Sequence, residues 1–329
     1  MSLRIGPHAL SGRVLLAPMA GVTDPPFRAL CRELGAALTC GEMLSADQSL
    51  WHTDKSRRRM AGRNGADTLR AVQLAGSDPL QLAAAARAQV DQGAQLIDLN
   101  LGCPVKKVCD RWCGSALLAD EPLVARILEA LVHAVAVPVT IKIRTGPDPQ
   151  RRNAVRVAQL AERCGVAAIA IHGRTRAERF TGAAEYESIR AVKAAVRIPV
   201  IANGDISTPQ QALAVLNTSG ADAVMIGRAA LGAPWIFRDV NAFLESGKIV
   251  PQLLRASMAT LILRHLESLY AFYGEYTGVR MARKHLARYC EQHADAGKLR
   301  QLLLTAEDSA TQFATALRAF GEWSAAAAA

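Results

Sequence analysis

Eight short apolar segments recur along the first 240 residues of the chain. They are RVLLAPM (13–19), ALTCGEM (37–43), LRAVQLA (69–75), QLIDLN (95–100), PVTIKIR (138–144), AIAIHG (168–173), PVIANG (199–204) and AVMIG (223–227). Their nearly continuous Val, Ile and Leu character is typical of parallel strands that are buried on both faces. The pattern therefore predicts eight parallel β-strands.

Helical segments separate these strands. PLQLAAAARAQVDQG, EPLVARILEALVHAV and TPQQALAVLNTSG each carry proline in the first turn, after a polar residue that can cap a helix. Strand and helix alternate with a repeat of about 30 residues, which is the rhythm of a (β/α)8 TIM barrel. A doubly wound sheet is the alternative architecture, but eight units favour closure.

The pattern changes near residue 240. QLLRASMATLILRHLESLYAFYGEY and VRMARKHLARYCEQHA place apolar residues at helical spacing, and strand-like segments are absent from this region. We therefore predict a barrel domain over residues 1–240 and a small C-terminal helical domain over 241–323. The SAAAAA end has nothing to pack against, so residues 324–329 are predicted to be a disordered tail.

Composition and charge narrow the class of protein. Half of the 329 residues are hydrophobic, which is enough for a large core. A run of eighteen apolar residues is absent, and so are the features of a signal peptide, so we expect a cytoplasmic protein without membrane association. The seven cysteines favour free thiols over a secreted disulfide framework. The net charge of +10 indicates attraction to a polyanion. The sequence does not indicate an oligomeric state, so a monomer is the default expectation.

The strand ends carry the candidate chemistry, because active sites of barrels lie at the carboxyl ends of the strands. These ends hold Pro18, Met19, Ala20, Glu42, Gln73, Asn100, Lys142, His172, Asn203 and Gly227. The loops that follow form a basic rim of Lys55, Arg57, Arg58, Arg59, Arg63, Lys106, Lys107, Arg111, Arg151, Arg152, Arg174, Arg176, Arg179 and Arg228. Their common location predicts an anionic ligand, although each charge by itself is typical of a solvated surface.

Two loops suggest a phosphate site. ANGDI and IGRAA follow strands 7 and 8, where barrels commonly bind phosphate. Gly204 and Gly227 allow the backbone to approach a ligand closely, and Arg228 can add a charge-assisted contact. Ordinary strand-to-helix turns are the alternative interpretation of these glycines.

Seven motifs, in order along nearly the whole chain, resemble the tRNA-dihydrouridine synthases, most closely their bacterial B-type branch. They are APMAGVTDPPFR, VQLAGSDP, DLNLGCP, IKIRTG, IHGRT, IANGDI and MIGRAALGAPWIF. The resemblance implies an enzyme that holds flavin mononucleotide (FMN) and reduces the 5,6 double bond of a uridine in tRNA. NADPH would supply the electrons.

The resemblance also assigns residues. It places Pro18, Met19, Ala20, Gln73, Lys142, His172, Asn203, Gly204, Asp205, Gly227 and Arg228 around the flavin. It makes Cys103 the catalytic acid and sets Asn100 against the uracil. We also predict that Lys106 and Arg174, which belong to the basic rim, contact the substrate.

The chemistry of Cys103 agrees with this assignment. Reduction of the uracil double bond needs hydride at one carbon and a proton at the next, so an acid must face the hydride carrier across the ring. An ordinary thiol has a pKa of about 8.5 and is protonated at pH 7, and Lys106 and Lys107 could stabilise the thiolate that remains. Pro104 helps to turn the chain and present the thiol.

Several roles stay open from the sequence. Lys142 can stabilise negative charge on a reduced flavin or form a Schiff base, and His172 can bind ligand or be structural. The spacing of Cys103, Cys109 and Cys113 does not fit zinc, so no metal is predicted, but a disulfide to Cys103 could inactivate the enzyme. Because a G-x-G-x-x-G motif is missing, NADPH should use the flavin face in turn with the uridine, giving ping-pong kinetics.

The helical tail suggests an RNA contact. Arg280, Arg283, Lys284 and Arg288 fall on one helical stripe that can follow a phosphate backbone, although a solvated helix face is the alternative. Tyr273, Tyr276 and Tyr289 can stack on bases or pack the domain. Besides the tRNA reductase, two alternatives remain: a flavin barrel that reduces a small enone or a free pyrimidine, and a noncatalytic tRNA-binding protein.

Overall fold

The computed structural model describes residues 3–61, 69–105, 109 and 113–321, and all structural statements below refer to these residues. Lys106, Lys107, Arg63, Arg111 and the predicted tail at 324–329 lie outside the described residues. The roles predicted for them therefore stay predictions.

The strands and helices follow each other in the predicted alternation. The strands are β1 Arg4–Ile5, β2 His8–Ala9, β3 Val14–Leu16, β4 Leu38–Thr39, β5 Leu44–Ser45, β6 Ala71–Ala75, β7 Leu96–Leu101, β8 Val139–Arg144, β9 Ala168–His172, β10 Val200–Asn203 and β11 Ala223–Ile226. The helices are α1 Pro25–Glu33, α2 Asp54–Met60, α3 Pro79–Asp91, α4 Glu121–Ala134, α5 Ala154–Arg163, α6 Glu187–Ala195, α7 Pro209–Ser219, α8 Ile236–Ser246, α9 Arg255–Tyr273, α10 Glu275–Glu291, α11 Ala294–Gly297, α12 Arg300–Thr305 and α13 Ser309–Gly321.

A closed parallel barrel forms the larger part of the molecule. The sheet runs in the order β4-β3-β11-β10-β9-β8-β7-β6-β5, and its neighbouring strands are parallel. Its two ends, β4 and β5, belong to one chain segment, and Cys40 between them pairs with Ala71 of β6. The sheet therefore closes on itself with eight strand segments. The predicted (β/α)8 TIM barrel is confirmed.

Four helices of the barrel begin in the same way. Helices α1, α3, α4 and α7 carry proline in their first turn, and a side-chain oxygen of the preceding residue accepts a backbone N–H of that turn. Proline needs no hydrogen bond at this position, and the cap satisfies an amide that the helix leaves open. These local signals fix where each loop after a strand ends and thereby shape the face that carries the candidate chemistry.

The opposite end of the barrel is covered. The antiparallel pair β1 and β2 packs Ile5 against the barrel interior, in a cluster with Leu15, Leu96 and Ile201. The carboxyl ends of the strands are therefore the open end.

The C-terminal region is helical, as predicted, and has its own apolar cluster. Ile262 and Leu266 of α9, Leu286 of α10 and Phe320 of α13 are buried together in it. Helix α8 instead packs Phe237 into the barrel cluster. The domain boundary at residue 240 stays a prediction. Within the described part of the chain, none of the helices is long and apolar enough to cross a membrane.

Candidate active site

A cavity of about 1020 Å³ opens at the carboxyl end of the barrel. Most residues predicted from the sequence line it: Pro18, Met19, Ala20, Gln73, Asn100, Cys103, Lys142, His172, Asn203, Gly204, Asp205, Gly227, Arg228 and Arg288. The structure thus brings together residues from seven strand ends or the loops behind them, and from helix α10.

A chain of amide side chains positions the loop that carries Cys103. Gln73 donates to Asp98 at 2.7 Å, and Asn100 donates to Gln73 at 2.8 Å. The side-chain oxygen of Asn100 accepts the backbone N–H groups of Gly102 and Cys103, at 3.2 and 3.0 Å. The amide of Asn100 therefore serves to turn the chain at the end of β7. Because Asn100 also lines the cavity, the same side chain stands at the cavity wall.

The base of this chain is a buried carboxyl group. Asp98 accepts hydrogen bonds from Gln73 and from the hydroxyl of Thr140, the latter at 2.7 Å. Burial raises the pKa of Asp98, and the two hydrogen bonds oppose that shift. The carboxyl group therefore fixes the orientation of Gln73, which lines the cavity.

Cys103 is held by its backbone while its side chain lines the cavity. Its carbonyl oxygen accepts the hydroxyl of Ser115 at 2.8 Å and the N–H of Ser115 at 3.1 Å. Burial raises the pKa of the Cys103 thiol, and the N–H of Val105 and the cations of Arg144 and Lys142 act in the opposite direction. The thiol is therefore protonated at neutral pH, with stabilising groups in place for the thiolate.

Asn203 at the end of β10 contacts side chains from β8 and β9. The side-chain oxygen of Asn203 accepts from Lys142 Nζ at 3.0 Å and lies 2.9 Å from His172 Nδ1. Its amide nitrogen donates to the carbonyl of Met225 at 2.8 Å, which sets the amide orientation. Because the oxygen can only accept, Nδ1 of His172 carries the proton and Nε2 is left as an acceptor.

The environment lowers the pKa values of both neighbouring bases. Burial, followed by the cations of Lys142 and Arg144, lowers the pKa of His172 to about 3, so the imidazole is neutral. Burial and the Arg144 cation lower the pKa of Lys142 to about 8. At pH 7 the wall thus holds an ammonium next to a neutral imidazole.

The loops after β10 and β11 meet at Asp205. Gly204 has φ of 133°, and a Cβ there would lie 2.6 Å from that of Ala184, so only glycine fits. Asp205 itself has φ of 44°, and its carboxylate pairs with Arg228 at 3.0 Å. The guanidinium of Arg228 is exposed at the cavity wall.

Arg174 is placed differently from the other residues of the basic rim. Its side chain is 2% exposed, and it forks onto both carboxylate oxygens of Asp205, at 3.0 and 2.5 Å. It also donates to the carbonyls of Thr181 and Gly182. These partners tie the loop after β9 to the loop after β10. The guanidinium of Arg174 thus holds Asp205, which lines the cavity. The predicted contact of Arg174 with substrate stays a prediction.

Two further residues of the cavity wall were missed by the sequence analysis. Arg144 donates to the carbonyls of Gly102, Thr175 and Arg179, and burial together with Arg174 lowers its pKa to about 10. The ring of Phe180 is 54% exposed, with the guanidinium carbons of Arg144 and Arg228 5.2 and 5.3 Å from its centroid.

A signal for Arg144 was available, because it follows Lys142 by two residues and so shares its face of the strand. Phe180 lies in a loop, and its position depends on contacts that no local pattern shows.

The stripe predicted on α10 divides into two parts. Arg280, Lys284 and Arg288 are exposed, whereas Arg283 is half-buried and donates to the carbonyl of Ala306 at 2.7 Å. Arg280 stacks on the exposed ring of Tyr276 at 3.5 Å, and Arg288 pairs with Glu291 at 2.6 Å. The structure therefore separates Arg283 from the other three.

Six cysteines of the described part of the chain are free thiols: Cys31, Cys40, Cys103, Cys109, Cys164 and Cys290. Over the same residues, His, Cys, Asp and Glu side chains do not form a group of three that could hold a metal ion.

Comparison with known proteins gives a family match over most of the chain. A family model described as dihydrouridine synthase (Dus) matches residues 15–323. The tRNA-dihydrouridine synthase B of Xanthomonas axonopodis pv. citri (strain 306) is 54% identical over 312 residues, covering 95% of this chain and 94% of the relative. The protein of the same name from Pseudomonas aeruginosa PAO1 is 52% identical over 320 residues, covering 97% and 96%.

Solved structures show the shared fold at much lower identity. Histamine dehydrogenase from Rhizobium sp. 4-9 matches with a TM-score of 0.57 and 16% identity, covering 81% of this chain and 50% of that one. The 6-hydroxypseudooxynicotine amine oxidase of Pseudomonas geniculata N1 gives 0.56 and 15%, covering 80% and 52%. The chain therefore spans about half the length of these structures.

Proposed function

Because this chain belongs to the dihydrouridine synthase family, and is thereby an oxidoreductase, we propose that it reduces a specific uridine of tRNA to 5,6-dihydrouridine with FMN as cofactor and NADPH as reductant. The observation that carries the proposal is the set of three ionisable groups that line the cavity. A protonated thiol, an ammonium and a neutral imidazole there occupy the ends of β8 and β9 and the loop after β7.

The residues present fit a flavin mononucleotide. Arg228 and the backbone around Gly204 offer a positive, closely approachable wall for a phosphate. Lys142 would stabilise negative charge on the ring system, a common way in which proteins tune a flavin. The cavity of about 1020 Å³ is slightly larger than the roughly 300–1,000 Å³ usual for small-molecule sites, which leaves room for a base beside the cofactor.

The role of Cys103 follows from its surroundings. When bound, the reduced flavin supplies the hydride. The Sγ of Cys103 donates the proton to the neighbouring carbon of the uracil, and the thiolate that remains is stabilised by the N–H of Val105 and by Lys142 and Arg144. The same role predicted for Lys106 and Lys107 lies outside the described residues and stays a prediction.

Lys142 acts as a cation in this proposal. Its ammonium donates to Asn203, and with a pKa of about 8 it is mostly charged at neutral pH. A Schiff-base lysine needs the uncharged amine, so the environment favours charge stabilisation. NADPH and uridine would use the cavity in turn, since the sequence lacks a separate dinucleotide motif, and this predicts ping-pong kinetics.

The tRNA would bind across the cavity mouth. A uridine must leave its stack before its ring can enter the barrel. Arg288 on α10 lines the cavity, and Lys284 donates to the carbonyl of Gly21 at 3.3 Å. Arg280 is exposed on the same helix. These exposed cations can contact the phosphate backbone of the tRNA.

The proposal is tested by nucleoside analysis of unmodified tRNA after incubation with the flavin-loaded protein and NADPH. Wild type should form dihydrouridine, and Cys103→Ala should retain flavin but react about 10²–10⁴-fold more slowly, since it lacks the acid. Free uridine, tested in parallel, should not be reduced. If the protein oxidises NADPH but leaves tRNA unchanged while it reduces a small enone or free uridine, the small-molecule reductase is the correct function.

A further inference from the structure

A second thiol lies against Cys103. The Sγ of Cys109 is 3.5 Å from the carbonyl oxygen of Cys103 and 3.8 Å from the hydroxyl of Ser115, which itself bonds that carbonyl. The N–H of Cys109 also donates to the carbonyl of Val105 at 3.0 Å, which holds Cys109 close to the segment that carries Cys103. Two thiols six positions apart are therefore in direct residue contact.

The proposed reaction gives Cys109 no task. Cys103 lines the cavity, and Cys109 contacts the backbone carbonyl of Cys103. Both residues are half-buried, so a small oxidant can reach them. A thiol that lies beside a reactive cysteine can capture its sulfenic acid before further oxidation occurs.

We propose that Cys103 and Cys109 form a reversible disulfide when the protein meets hydrogen peroxide, and that this removes the thiol from the cavity. The thiolate of one cysteine attacks the peroxide, the O–O bond breaks, and a sulfenic acid and water form. The second thiol then attacks that sulfur, forming the S–S bond and releasing a second water. Two thiols lose two electrons and two protons, and the peroxide is reduced to two molecules of water.

The two residues are already neighbours. A disulfide needs Cα atoms about 4.4–6.8 Å apart. The Sγ of Cys109 lies 3.5 Å from the backbone carbonyl oxygen of Cys103. For the disulfide to form, the Sγ of Cys103 has to turn towards Cys109. A sulfur held in that bond no longer offers a thiol proton to the cavity.

Cys113 provides the matched control. It is also half-buried and directly precedes the 3₁₀ turn Gly114–Ala119, which contains Ser115. Trypsin cuts at Lys106, Lys107 and Arg111, so it separates the three cysteines into residues 88–106, 108–111 and 112–126. A peptide map without reductant therefore distinguishes a link of Cys103 to Cys109 from a link to Cys113.

The experiment treats the flavin-loaded protein with hydrogen peroxide, followed by this map and by an activity assay before and after a dithiol reductant. Wild type should yield the peptide 88–106 joined to 108–111, and its dihydrouridine synthesis should fall in proportion to the linked fraction and return on reduction. Cys113→Ser should behave like wild type. Cys109→Ser should yield no such link, and its Cys103 should become sulfinic acid, with activity that the reductant does not restore.

The proposal is overturned if Cys103 links to Cys113 instead, or if Cys103 reaches sulfinic acid equally fast in wild type and in Cys109→Ser. The inactivation rests on the proposed role of Cys103, whereas the linkage does not. A disulfide that forms fully and leaves dihydrouridine synthesis intact would support the linkage and refute Cys103 as the proton donor.

Discussion

The barrel mouth and the junction between α1 and the C-terminal helices both bury ionisable side chains, but they treat them in opposite ways. At the mouth, Lys142 and His172 share the oxygen of Asn203. At the junction, His285 packs between Phe27 and His265, with ring centroids 4.9 and 4.6 Å away. Among the described residues, neither ring nitrogen of His285 has a hydrogen-bond partner.

This difference shows what marks a reactive site. Burial is the main cause that lowers the pKa of His172 and of His285, in both cases to about 3, so the shift does not separate them. His172 lines a cavity and has polar partners that fix its tautomer, whereas His285 serves as an aromatic ring in an apolar contact. Convergent polar partners beside open space therefore indicate chemistry, and a shifted pKa alone does not.

Substitution of Asn203 at the barrel mouth should have the largest effect on stability. Asn203→Ala leaves the ammonium of Lys142 and the Nδ1–H of His172 without their acceptor, which costs about 1–3 kcal/mol for each donor left inside. We expect a large fall in the free energy of unfolding, measured with urea, and loss of bound flavin on gel filtration. Asn241→Ala, which removes a hydrogen bond to the carbonyl of Gly35 outside the cavity lining, is the matched control. Equal urea midpoints for the two variants would contradict the prediction.

At the junction, substitution of His285 should increase the free energy of unfolding. His285→Phe keeps an aromatic ring beside Phe27 but removes two unpartnered nitrogens, so we expect a gain of about 1 kcal/mol or more at pH 7. His285 has a folded pKa of about 3 and an unfolded pKa of about 6.5, so the unfolded state binds more protons and wild type loses stability below pH 6.5. Relative to wild type, the gain should therefore grow by about 1.4 kcal/mol for each pH unit below 6.5.

Urea unfolding at pH 7 and pH 5 measures this effect, and His133→Phe, at an exposed position, is the control. A midpoint below that of wild type at both pH values would show that the imidazole of His285 contributes favourable contacts.

Lys142 gives a smaller effect that depends on pH. Its folded pKa is about 8, so the ammonium is present below pH 8 and is lost above it. If the charge supports the reaction, the rate of dihydrouridine formation should decline above pH 8. Lys142→Arg keeps the charge, so this decline should move to higher pH even if the overall rate is lower. Profiles from pH 6.5 to 9.5 test this, and an unmoved midpoint would assign the decline to another group.

The fold could be predicted because the sequence marks its elements locally. Each strand is a short apolar segment, and capped prolines begin four of the barrel helices, so neighbouring residues carry the necessary information. Closure of the barrel followed from counting the units. The break of the second strand into β4 and β5 was not predicted, because it depends on pairing with strands on both sides.

The site was predictable where position along a strand determines it and not where distant partners do. Lys142 and Asn203 are strand ends, and the structure joins them as neighbours at the cavity. The partners of the arginines could not be predicted, because sequence spacing gives the position of a side chain on its element and not the group that accepts its hydrogen bonds. Arg174 reaches Asp205, and Arg283 reaches Ala306, so each is held by a segment more than twenty positions away.

The smallest expected effects separate the cations of α10. Arg280→Ala and Lys284→Ala each remove an exposed charge, so tRNA affinity should fall and the slope of log K against log salt should shrink by roughly 0.7–0.9 for each phosphate that the variant no longer neutralises. Their urea midpoints should stay unchanged. Arg283→Ala should do the reverse, since the carbonyl of Ala306 loses its donor while the salt slope is preserved. If Arg283→Ala changes the slope as Lys284→Ala does, Arg283 leaves Ala306 to bind phosphate, and the single stripe predicted from spacing is correct.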